Sequence, residues 1–165
     1  MSPLPLTFAT KVVDQPLKTQ FEAFLDDYRH ALHDCLDGLT EEQARRRLVP
    51  SRTTLLGLVK HATFVERVWF GEAVTGRSRI ELGLPATADE SFILRDEDTI
   101  ATVQQAYREA CAASRRATAE LGLDDVLPGN PRGPRPLRWV YLHVLRELAQ
   151  HCGHADILRE QLLGH

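Results

Sequence analysis

The chain has 165 residues, 43% of them hydrophobic and 26% charged, which suits a single compact domain with a substantial core and requires no second one. Twenty basic and twenty-three acidic side chains leave a net charge of −3 and the basic residues are scattered, so nothing calls for nucleic acid or an anionic membrane as partner. The N-terminal MSPLPLTFATKVVDQPLKTQ lacks a charged start, a long apolar run and a cleavage site, and no segment approaches the roughly 18 apolar residues of a membrane span, so a cytoplasmic protein is expected.

Residues 1–16 read as an extended N-terminal arm. A first helix is predicted from about Lys18 to Leu36, with Phe21, Phe24, Leu25, Tyr28, Leu32 and Cys35 at core spacing and a stop near Gly38. Thr40 is placed to cap a short helical turn that Pro50 ends. A second long helix runs from near Ser51 to about Thr75, before Gly76. The following RSRIELGLPATADESFILRDED shows no sustained period and reads as a long connection, of the kind that often covers a site. Asp98 or a neighbour caps a third helix carrying Ile100, Val103, Tyr107, Ala110, Cys111 and Ala117, which closes near Leu121 and Gly122. DDVLPGNPRGPRPLRW is a second irregular stretch, and a fourth helix extends from about Leu137 to Leu163. No segment reads as a strand. The predicted class is an all-α four-helix bundle with long connections between helices 2 and 3 and between helices 3 and 4.

A helix turns by about 100° per residue, so positions four apart lie one above the other. Glu147 and His151 therefore point the same way, along a stripe that holds Leu137, Val140, Val144, Leu148, Ala155, Leu158 and Leu162. Around His61 the same count collects Leu58, Val65, Val68 and Trp69, while Lys60, Glu66 and Arg67 project elsewhere. A carboxylate on a core face must be compensated. A divalent cation does this, since imidazole and carboxylate suit zinc, nickel, iron and manganese, and three protein ligands leave a position open. The alternative is a metal-free network in which Glu147 pairs with His61, His151 or an arginine.

Other residues carry two readings each. His154 sits at the edge of the same stripe as a partner to the ligands, a proton donor or an alternative ligand, or as a hydrogen-bonded interface histidine, and His143 sits symmetrically on the other edge. Arg159 is placed to bind an anionic substrate or to make a solvated salt bridge. Trp69, Phe70 and Trp139 line a pocket at the mouth of the bundle or pack in the core. Asp156 faces the opposite side as a capping group or ion-pair partner. Arg77, Arg79, Arg132, Arg135 and Arg138 form an anion-attracting rim if the two connections meet above the site, and are ordinary loop charges otherwise. Cys35, Cys111 and Cys152 are odd in number and fall inside predicted helices, as buried hydrophobes rather than a disulfide framework.

LLGLVKHATFVERVWF, DTIATVQQAYREACAASR and RELAQHCGHADILREQL resemble the DinB/YfiT-like metal-binding four-helix bundles over nearly the whole chain. That superfamily usually supplies one histidine from the second helix and an H-x-x-x-H pair from the last, which fall here on His61, Glu147 and His151. Glutamate at the first position of the pair is similar to the metal-binding domain of mycothiol-dependent maleylpyruvate isomerase, whose additional C-terminal domain is not expected here. The resemblance implies a divalent metal ion, zinc foremost, and a thiol cosubstrate such as mycothiol activated for transfer to a small-molecule electrophile. It also implies pairing into a homodimer through helix faces, although no heptad seam marks an interface. The alternative function is a non-catalytic, stress-associated metal-binding or interaction protein.

Overall fold

In a computed structural model that describes residues 8–130 and 132–164, the amphipathic segments form an all-α bundle. Residues 1–7 of the predicted arm lie outside the described residues. The rest of the arm is not simply extended: Ala9–Lys11 make a turn of 3-10 helix, anchored because the Phe8 and Ala9 N–H groups donate to the Asp27 carboxylate at 2.9 and 3.1 Å.

α1 (Leu17–Asp34) packs its Leu25 and Leu32 face mainly against the last helix. α2 (Glu41–Arg45) is the short turn expected after Thr40, whose hydroxyl accepts from Gln43 N–H while the Gln43 side chain accepts from Thr40 N–H in a capping box. α3 (Leu55–Glu66) is capped by Thr54 rather than starting near Ser51, because the Thr54 hydroxyl accepts from Gly57 N–H. The rod continues through a π-helical turn (Arg67–Glu72) into α4 (Ala73–Thr75) and ends at Gly76, whose φ of 70° is the left-handed conformation that glycine adopts without strain. α5 (Ile100–Thr118) is capped by Thr99, the neighbour of Asp98, with Thr102 completing a second capping box. α6 (Leu137–Leu163) spans about 40 Å at 1.5 Å per residue and stops at Gly164. Apart from Lys60, every residue of α3 is buried, so this is the central helix, packed on α5 on one side and α6 on another.

Two features depart from the sequence reading. β1 (Val126–Leu127) and β2 (Arg135–Pro136) form a minimal antiparallel pair within the second connection, where the sequence carries no strand signal. Glu66 projects away from His61 as predicted, but into the core: it is fully buried and holds the Arg29 guanidinium through two 2.8 Å contacts. Arg29 also donates to Asp26 at 2.9 Å, so α1 and α3 are joined by a buried ion pair. No helix among the described residues is long and apolar enough to cross a membrane.

Candidate metal centre

His61 lies on α3 and is 5% exposed. Its Nδ1 is 2.7 Å from Ser91 Oγ, and that hydroxyl is 2.5 Å from the Ala88 carbonyl. A hydroxyl has one proton, which the carbonyl takes, so His61 Nδ1–H donates to Ser91 and the Nε2 lone pair is left free. Phe92 stacks on the imidazole, with centroids 4.2 Å apart and planes 15° apart. Ser91 and Phe92 belong to a turn of 3-10 helix (Glu90–Phe92) in the long connection, which covers the site as its length suggested.

α6 brings in the other two side chains. The His151 ring meets His61 edge-on at 4.7 Å, and His151 Nε2 is 3.7 Å from Glu147 Oε2. One potential ligand atom from each of His61, Glu147 and His151 lies within 4.8 Å of the others. Burial, then the neighbouring His151, pushes His61 down to about 4, and burial also lowers His151 against the opposing pull of Glu147. Both imidazoles are therefore neutral near pH 7, the form that ligates a metal. Both ring nitrogens of His151 are buried without a hydrogen-bond partner, and a cation between the three side chains would take up one of them, the Nε2 beside Glu147. The donor set of two imidazoles and one carboxylate fits a divalent ion and leaves a position open. Glu147 is not deeply buried as its stripe implied: its side chain is 28% exposed, so the site opens to solvent on this side.

The remaining candidates are spread along the molecule. His154 is exposed, with its ring 5.7 Å from that of His151. His143 stacks on Trp139 at 5.2 Å, touches Trp69 at 4.1 Å and accepts from Arg146 at Nδ1. Trp69 and Trp139 are thus together, whereas Phe70 is fully buried and does not line a mouth. Arg159 donates to the Cys35 carbonyl at 2.8 Å, closing the end of α1. Asp156 makes no ion pair among the described residues, and burial raises its carboxyl. Arg79 pairs with Glu72, Arg77 with the Glu81 carbonyl, and Arg138 with Asp124, which makes them local loop partners. The three cysteines are free and buried, and burial pushes Cys111 and Cys152 up to about 12, so neither supplies a thiolate at neutral pH.

A family model described as mycothiol-S-transferase matches residues 20–164. The chain belongs to this family. The mycothiol-S-transferase family is DinB-like, in line with the resemblance carried by the His61 and His151 segments, and it associates the fold with metal-dependent thiol chemistry. No curated protein matches the chain. Sequence reasoning missed Ser91 and Phe92, which the fold places against His61; the aperiodic connection offered no signal beyond its length.

Proposed function

We propose that this protein transfers a low-molecular-weight thiol of the mycothiol type to a small electrophile, using zinc held by His61, Glu147 and His151. One observation carries the reading: the two buried, unpartnered nitrogens of His151, beside Glu147 and the free Nε2 of His61. A bound divalent ion supplies acidity, lowering the pKa of a thiol or water ligand toward neutrality. Ser91 and Phe92 hold His61 in one tautomer and orientation, and Glu147 provides the one negative charge of the donor set. The thiol sulfur forms the new bond to the electrophilic carbon, the leaving group departs with its electron pair, and exposed His154 carries the thiol proton to solvent. Trp69 with Trp139 and His143 forms an aromatic wall for the substrate. Arg159 has no part in this proposal, because its guanidinium is engaged at the end of α1.

The test is elemental analysis of untagged wild type beside Glu147→Ala, with circular dichroism of both, followed by transfer from mycothiol to 1-chloro-2,4-dinitrobenzene. The expected result is about one equivalent of metal in the wild type, lost together with activity in a folded variant. Protein that cannot be loaded with metal refutes the site, and loaded protein without transfer refutes the reaction. A closed structural ion requires a fourth protein ligand, and among the described residues neither His143 nor His154 joins the cluster. Their alanine variants should keep their metal; a loss as large as that of His61→Ala would favour the non-catalytic alternative.

A further inference from the structure

A cavity of about 680 Å³ lies between α3, α5 and the connection after α4, and none of the three proposed ligands lines it. It borders the metal centre at Ser91 and at Phe64, whose ring lies 6.2 Å from the His61 imidazole. Its volume falls within the roughly 300–1,000 Å³ of small-molecule sites. Phe64, Leu84, Pro85, Ile93 and Val103 give it an apolar wall, and Ile93 is 44% exposed there. The charges around it are unequal in state. Lys60 is neutralised by Asp98 at 2.6 Å and also donates to the Ile93 carbonyl, while Arg95, Glu97 and Glu90 are exposed at the rim. The guanidinium of half-buried Arg67, at the start of the π-helical turn, has no hydrogen-bond or ion-pair partner among the described residues. π-helical turns are frequent at functional sites, and a half-buried guanidinium without a partner is complementary to an anion.

We propose that this cavity is a second ligand site, for an amphipathic carboxylate whose tail lies on the apolar wall and whose head group pairs with Arg67. The site is separate from the metal centre and does not depend on it. The probes are decanoate and decan-1-ol, titrated calorimetrically into metal-loaded wild type, Arg67→Met and Ala106→Phe and into metal-free Glu147→Ala, each checked by circular dichroism. Decanoate should saturate the wild type at one equivalent, and decanol should bind at least about tenfold more weakly for want of the charge-assisted contact. Arg67→Met should bring decanoate down to the affinity of decanol, and Ala106→Phe, which fills the cavity, should abolish binding of both. Glu147→Ala should bind decanoate as the wild type does, which separates this site from a carboxylate ligating the metal. Absence of saturable binding, decanoate affinity within twofold of wild type in either cavity variant, or loss in folded Glu147→Ala overturns the proposal. If Ala106→Phe does not fold, Arg67→Met decides alone.

Discussion

Ser91→Ala separates an oriented metal ligand from a merely packed histidine. Ser91 is 1% exposed, and its hydroxyl links His61 Nδ1, at 2.7 Å, to the Ala88 carbonyl, at 2.5 Å. Removing it takes away the acceptor at 2.7 Å and leaves the imidazole N–H only the Ala88 carbonyl nearby, which costs up to about 1–3 kcal/mol of stability. That cost falls on the metal-free and metal-bound states alike. Metal affinity suffers for a different reason: the variant ring is free to exchange tautomers and rotate, so part of the population no longer offers Nε2. Loss of such an outer partner weakens binding by about 10- to 100-fold, or about 1.4–2.8 kcal/mol. Competition with a chromophoric zinc chelator at about pH 7.5, where both imidazoles are neutral, measures the affinity, and urea unfolding of the metal-free protein measures the stability. Ser91→Thr, which keeps the hydroxyl, should recover most of the affinity. A folded Ser91→Ala protein with affinity within twofold of wild type would refute the orienting role, whatever its stability.

Glu66→Ala leaves the Arg29 guanidinium buried beside Asp26 alone and should cost about 3–5 kcal/mol in urea unfolding, whereas the double change Arg29→Met with Glu66→Leu should recover much of it; a loss below about 1 kcal/mol in the single variant would show that the pair is solvated. Gly129→Ala would put a Cβ 2.4 Å from the Glu72 carbonyl oxygen and 2.7 Å from Gly76 Cα, both backbone, and should destabilise by about 1–3 kcal/mol, while Gly153→Ala, in open space on α6, should stabilise by up to about 1 kcal/mol; calorimetric melting compares the two, and equal effects would contradict the close approach. In metal-free protein His61 is protonated only below about pH 4, against an ordinary value of 6.5 in the unfolded chain, so the unfolded state binds more protons in between. Stability is then full above pH 6.5 and falls by up to about 3 kcal/mol as pH drops to 4, a loss that His61→Gln should remove; urea titrations whose pH dependence is the same in both proteins would count against it.

The frame of the bundle was legible because its helices declare themselves by period and cap. α6 follows an apolar stripe that runs from Leu137 to Leu162, and Thr40 caps α2 as its position before Glu41 suggested. What escaped the sequence depends on partners far away along the chain. Glu66 is charged, and nothing local reveals that α3 is surrounded on all sides and that Arg29, thirty-seven residues earlier, meets it in the core. The π-helical turn leaves the apolar pattern almost unchanged, and strands of two residues are too short to show alternation. At the candidate site, the i, i+4 spacing on α6 and the apolar setting of His61 marked all three proposed ligands, while Ser91 and Phe92 reach His61 through tertiary folding of an aperiodic connection.

Exposure across the three proposed ligands is graded, and the gradient implies a direction of approach. His61 is walled in by Ser91 and Phe92, the His151 side chain is 13% exposed, and that of Glu147 is 28% exposed. The proposed thiol substrate would therefore reach the centre from the Glu147 side of the α3–α6 seam. His143 lies one helical turn from Glu147 on that seam, in contact with Trp69 and stacked on 40% exposed Trp139. These are the chain's two tryptophans, so tryptophan fluorescence reports on this wall alone. Titration of metal-loaded protein with mycothiol should change the emission, and Trp139→Ala should raise KM for the thiol by about tenfold with kcat little altered, the signature of lost uniform binding. Unchanged emission at thiol concentrations that saturate turnover, with an unaltered KM in the variant, would place the approach elsewhere and remove the aromatic wall from the proposed site.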